Sequence, residues 1–175
     1  MNRATILIIG LLTLLLQSCT SYEELAPFFD GLYLEYDWGS GTREIYNIQI
    51  SDDDNFKVIE TRKRKPLGDK TEEMLVNKNG IVYESTYKKY KDNFSPIWIP
   101  VREIKIGDKY DGRKLAERKD KWEKWEVLVV KDIPTGGESY YELETGYWVG
   151  GSAKTSVGVG KIVLINTNAV IPTIN

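Results

Sequence analysis

The chain has no histidine and only one cysteine among its 175 residues. Those two shortages remove whole classes of chemistry. No Ser-His-Asp triad, no Cys-His pair and no zinc site of Cys and His ligands can be assembled. A lone cysteine also leaves no intrachain disulfide. Charge of one sign is missing as well. The chain carries 24 Lys plus Arg against 26 Asp plus Glu, a net charge of −2. Signs this mixed argue against nucleic acid as a partner, since that partner demands a basic face. Other motifs fail on inspection. Gly158-Val159-Gly160-Lys161 suggests a phosphate loop, but Thr155 stands where the first Gly is required and Ile162 where Ser or Thr is. Asp52-Asp53-Asp54 lacks the Gly and Glu offsets of a calcium loop and reads as a turn. Glu142 and Glu144 are expected on one strand face, whereas Glu123 and Glu126 are not. All four read as surface charge rather than a glycosidase pair. No catalytic residue, metal ligand or cofactor is expected, and the chain reads as non-enzymatic.

What is present begins at the N-terminus. Arg3 supplies a positive charge, and Ala4 to Leu16 is an apolar run. That run fits the h-region of an export signal and is shorter than the roughly 20 residues that span a bilayer. Leu16-Gln17-Ser18-Cys19 resembles the lipobox of bacterial lipoprotein precursors, with Leu16 and Ser18 at the matching positions. The resemblance implies cleavage before Cys19, a diacylglycerol thioether on its sulfur and permanent attachment to a membrane. Cleavage removes Arg3 and makes the mature chain one charge more negative. Thr20, not Asp, follows the cysteine. By analogy with enteric bacteria this favours the outer membrane, facing the periplasm, over the inner membrane.

The remainder divides into a tether over 19–30 and one domain over 31–175. In the tether Tyr22, Leu25, Phe28 and Phe29 suggest a turn or two of helix, limited by Pro27 and Gly31. From Gly31 the signals are β. Leu32, Leu34 and Tyr36 alternate with Tyr33, Glu35 and Asp37. Ile45 to Ile50 and Phe56 to Thr61 flank an Asp-rich turn and read as a hairpin. The basic stretch Arg62-Lys63-Arg64-Lys65 reads as a solvated loop. Asn79-Gly80 joins Met74–Val76 to Ile81–Tyr83 in a tight turn. Pro96 to Val101 is apolar, with prolines that keep it out of a central strand. Arg113 to Arg118 suggests a strand and Lys119-Asp120-Lys121 a turn. A helix over 114–125 competes there, with Leu115, Lys119 and Trp122 on one face. Trp125 to Val130 is apolar in both registers, as in a strand covered on both sides. Tyr140 to Val149 turns at Glu144-Thr145-Gly146. Gly150 to Gly160 reads as a mobile glycine-bearing loop, and Lys161 to Ile165 as the last strand. The sum is nine or ten strands with little helix. The fold class is mostly β: a single antiparallel curved sheet, half-barrel or barrel/sandwich-like.

Five Trp and 11 Tyr are the richest resource. Aromatics line concave binding sites, and Trp98, Trp122, Trp125, Trp148 and Tyr141 are the candidate ligand or partner surface. An exported, anchored β domain with successive hairpins is similar to the half-barrel lipoproteins of the Lol carrier and receptor type. The residues that carry the likeness are the lipobox, the Met74–Tyr83 hairpin, Pro96 to Asp108 and the segment from Tyr140 to Val149. The resemblance implies a curved sheet wrapped around an apolar cavity for lipid or another apolar ligand, with no catalytic residue. It departs in helix content, since those proteins close the open face with helices. The alternatives are a structural lipoprotein docking an envelope protein complex and, third, a carbohydrate-binding domain.

Overall fold

The computed structural model describes residues 24–174, apart from 40, 53–54, 65–66, 87–89 and 156–157. The signal segment, Cys19, Tyr22, Asp53, Asp54 and Lys65 therefore lie outside the described residues. Eleven strands follow in chain order: β1 Tyr33–Asp37, β2 Thr42–Asp52, β3 Asn55–Arg64, β4 Gly68–Asn77, β5 Val82–Ser85, β6 Lys109–Tyr110, β7 Lys114–Trp122, β8 Trp125–Asp132, β9 Glu138–Glu142, β10 Trp148–Thr155 and β11 Gly158–Thr167. They form one open sheet in the order β5-β4-β3-β2-β1-β11-β10-β9-β8-β7-β6. All its pairings are antiparallel. Two meanders, β1–β5 and β6–β11, are thus joined where β1 pairs with β11.

The alternation that suggests strands also sets the two faces. Leu32, Leu34 and Tyr36 are fully buried while Glu35 and Asp37 look outward to Arg43. Register carries that inner face across the sheet: Leu34 lies opposite Tyr46, Tyr46 opposite Glu60, and Glu60 opposite Glu72. Consecutive antiparallel strands also sort the connections to two ends. The β2–β3, β4–β5, β7–β8 and β9–β10 connections share one end. The β1–β2, β3–β4, β6–β7, β8–β9 and β10–β11 connections share the other.

The sheet is strongly curved. Arg62 of β3 and Lys114 of β7 line one cavity. Seven strand steps separate these two strands in the sheet order, about 33 Å in a flat sheet at about 4.8 Å per step. Register shifts at Glu35/Tyr36, Trp148/Gly150 and Ala116/Arg118 bend the strands, as bulges do. The half-barrel is filled by the segment between β5 and β6 and not by helices. Its Phe94, Ile97, Trp98, Ile99, Val101 and Ile104 are all buried. Trp98 bridges to Tyr147 and Phe94 to Ile81, so the two meanders are tied across their concave side.

Several local expectations are corrected. Residues 24–29 are not helical, and Ala26 and Phe28 pack into the core. Lys119 to Lys121 continue β7, and the turn falls at Glu123-Lys124, where Glu123 takes φ 53. No helix forms over 114–125, because Lys114 to Trp122 pair along β8. The described part of Gly150–Gly160 is strand, not loop: β10 and β11 pair from Gly150↔Val163 to Thr155↔Gly158. Arg62 to Arg64 belong to β3. Glu144 lies in the turn after β9 and shares no strand face with Glu142.

Candidate functional site

One end of the half-barrel is shut. The Trp98 indole N–H donates to Thr145 O at 2.8 Å, and the ring lies against Gly80 and Gly146. Both glycines have φ 75. A Cβ at Gly146 would stand 2.8 Å from the indole nitrogen and would collide with Ile99 O. Phe28 packs edge-on against Trp98 at 6.3 Å, and Tyr147 donates its hydroxyl to Pro27 O at 2.5 Å. These contacts lie at the β4–β5 and β9–β10 connections, here called the closed end.

The opposite end holds a cavity of about 630 Å³. That size suits a small-molecule ligand, for which pockets run to roughly 300–1,000 Å³. Its walls are aromatic and aliphatic: Trp38, Tyr46, Tyr90, Phe94, Ile99, Tyr110, Tyr141, Trp148 and Ile162. Its mouth is charged with both signs. Arg62, Arg113, Lys114 and Lys154 line it together with Glu44, Asp111 and Asp132. Most of these come from the connections or strand ends opposite Trp98.

The aromatic wall is closely packed. Tyr36 stacks on Trp148 at 4.3 Å and meets Tyr46 edge-on at 5.9 Å. Its hydroxyl donates to Trp148 O at 2.7 Å. The indole nitrogens of Trp38 and Trp148, and Ser95 Oγ, are buried with no hydrogen-bond partner among the described residues. All three residues line the cavity. Buried donors without partners are rare in native interiors, because each costs about 1–3 kcal/mol.

The β2–β4 wall carries buried charge. Glu44, Glu60 and Glu72 are 2%, 1% and 7% exposed. Arg62 Nε lies 2.5 Å from Glu60 Oε1 and 3.3 Å from Glu44 Oε1. Tyr46 donates its hydroxyl to Glu44 Oε1 at 2.7 Å. Burial, and then the charge of Glu44, push Glu60 up to about 8, against the opposing pull of Arg62. One guanidinium cannot satisfy two buried carboxylates, so Glu60 keeps its proton near neutrality.

The two mouth carboxylates Asp132 and Asp111 shift in opposite directions. Burial alone would raise Asp132. Bonds from Thr135 N and Thr135 Oγ1, both 3.1 Å, and the Lys114 ammonium at 3.3 Å hold it below the usual range. Asp111 is pushed up to about 6 by burial, despite the bond from Phe94 N.

The five aromatic candidates separate in space. Tyr141 and Trp148 face the cavity. Trp98 is fully buried and closes the far end. Trp122 and Trp125 lie on the convex side. Tyr140, the neighbour of inward Tyr141, points outward and packs on Trp122 at 4.4 Å. Lys161 sits 4.8 Å from the same ring, and Lys124 sits 5.0 Å from that of Trp125. Trp122 covers Gly150, where a Cβ would come within 2.7 Å of its nitrogen. Sequence reasoning missed Glu44, Arg62, Tyr46 and Tyr90 as cavity residues. The signal existed for three of them, since Glu44 and Tyr46 alternate with outward residues of β2, as Arg62 does on β3. Glu142 is no surface charge either. It is 2% exposed and accepts bonds from Glu144 N at 3.0 Å, Thr145 N at 2.8 Å and Thr145 Oγ1 at 2.6 Å.

No group of three or more acidic, Cys or His side chains that could hold a metal occurs among the described residues. No helix among them is long and apolar enough to cross a membrane.

No family model matches the chain, and no curated protein does. Among solved structures, the hypothetical protein CT021 from Chlamydia trachomatis is similar at 12% identity and a TM-score of 0.44, over 82% of this chain and 89% of that one.

Proposed function

We propose that this protein is a membrane-anchored lipoprotein whose half-barrel binds an amphiphilic ligand without catalysis. The observation that carries the reading is the 630 Å³ cavity with aromatic walls, orphaned donors and a mouth of both charges. A pure hydrocarbon would leave Trp38 Nε1, Trp148 Nε1 and Ser95 Oγ unpaired. A ligand with an apolar body and polar or ionic groups satisfies walls and mouth together. The lipid of the half-barrel resemblance fits in that restricted sense. Lipidation at Cys19 and a periplasm-facing outer-membrane location rest on the lipobox and Thr20.

A second reading, docking of an envelope protein complex, draws on three exposed apolar side chains. Leu67 (82% exposed), Ile133 (47%) and Val159 (70%) lie in or beside connections at the mouth end. They suit a protein partner seated over the mouth.

The test uses full-length protein purified from membranes. Mass analysis of the N-terminal peptide should show an acylated Cys19, and Cys19→Ser should move the protein to the soluble fraction. Solvent extraction should release one ligand per chain. An unacylated Cys19 contradicts the anchor, and an empty chain that ignores added amphiphile contradicts the cavity.

A further inference from the structure

The first described residue, Glu24, and the cavity mouth lie at opposite ends of the molecule. Five residues lead from Cys19 to Glu24, the first residue described. Fully extended they span at most about 18 Å. Glu24 is held at the closed end. Ala26 N donates to Lys78 O at 2.8 Å, beside the β4–β5 turn, and Arg102 N donates to Glu24 Oε2 at 3.3 Å. Glu24 N donates in turn to the Glu103 carboxylate.

An apolar patch sits at that same end. Leu25 is 57% exposed, Phe29 41% and Ile50 58%. Ile50 N donates to Asp30 Oδ1 at 3.1 Å, which brings the tether and the end of β2 together. Arg102, two-thirds exposed, adds a cation nearby. Three large apolar groups beside a short tether are placed to enter a bilayer surface, where each buried CH₂ contributes about 0.8 kcal/mol.

Building on the lipoprotein reading, we infer that Leu25, Phe29 and Ile50 at the closed end rest on the anchoring bilayer, so that the cavity opens away from it. A ten-residue strand such as β3 is about 33 Å long. At the roughly 40° tilt of barrel strands, the mouth stands about 25 Å from the closed end. Ligand then exchanges with the aqueous space or with a partner beyond it, and not with the anchoring leaflet.

The test uses the full-length acylated protein in phospholipid vesicles. Thioether formation blocks Cys19, so a single added cysteine takes an environment-sensitive fluorophore. Ile50→Cys reports the closed end and Leu67→Cys the mouth. Both sites are exposed, so neither label disturbs the core. The label at position 50 should brighten at least twofold on vesicle binding and lose at least half its signal to headgroup-region doxyl lipid. The label at position 67 should do neither. Equal quenching at both positions, or quenching at 67 alone, overturns the orientation while leaving the anchor intact. Absence of the acyl mass, or failure of the wild type to float with vesicles, overturns the lipoprotein reading and this orientation with it.

Discussion

The two meanders share one sheet but solve the interior differently. In β1–β5 burial is mainly on the concave side, and charged side chains run across it. Glu44 faces Arg62 across β2 and β3, and Glu60 faces Glu72 across β3 and β4. In β6–β11 the strand β8 is covered on both sides. Val127, Leu128, Val129 and Val130 are all essentially inaccessible. Trp122 and Tyr140 pack on the convex face of that half, while Tyr141 and Trp148 face inward. The C-terminal half is therefore a packed scaffold. The N-terminal half holds buried charge at a cost in stability, beside the cavity that such charge can serve.

The comparison breaks most visibly at the contact that spans both halves. Trp98→Ala should destabilise the protein by about 3–5 kcal/mol, because a fully buried indole touching both turns leaves a void. Urea unfolding measures this directly, and a loss under 1 kcal/mol would mean that the halves stand independently.

The buried charge of the N-terminal half predicts a pH dependence. Glu60 binds its proton more tightly folded, at about 8, than unfolded, at 4.5. Its contribution is complete below about pH 4.5 and drains away as the pH rises to about 8. The loss should be at most about 5 kcal/mol. Glu60→Gln, neutral at every pH, should flatten that slope and leave stability at pH 5 nearly unchanged. An unaltered slope in the variant would place the titration elsewhere.

The C-terminal half buries carboxylates of its own. Glu142 is an acceptor for the β9–β10 turn. Glu142→Ala should cost about 1–3 kcal/mol, because three turn donors lose their acceptor. A variant as stable as the wild type would show that Trp98 alone holds that turn.

The smallest effect on stability belongs to the mouth. Arg113→Ala removes a half-exposed guanidinium near Asp132 and should change stability by less than about 0.5 kcal/mol. Titration of an anionic amphiphile should nevertheless show several-fold weaker binding. Unchanged affinity would exclude Arg113 from the ligand contacts.

Much of the fold was legible because strands advertise themselves by period. The Leu32–Tyr36 alternation, the Asn79-Gly80 turn and the doubly apolar Trp125–Val130 run all appear as expected. The β10–β11 hairpin was illegible because its glycines imitate a loop. At Gly150 the missing side chain makes room for Trp122, a partner 28 positions away in sequence. The charged run Lys119–Lys121 was mistaken for a turn, since an exposed strand end can be as polar as a loop. The site was harder to see. Aromatic content pointed to Tyr141 and Trp148, but the closure by residues 94–104 is a tertiary event with no local signature. The buried glutamates could have been found by continuing the Val58-Glu60-Arg62 alternation one step further than charge alone suggests.

The central claim is that the cavity holds a ligand, and native mass spectrometry of the membrane-purified protein tests it most directly. Ala153→Trp would fill the cavity from half-buried β10 without touching the closed end. The wild type should carry a bound mass in one-to-one ratio, and Ala153→Trp should fly as the bare acylated chain with its fold intact. An identical adduct on both, or on neither after incubation with amphiphile, would contradict the account.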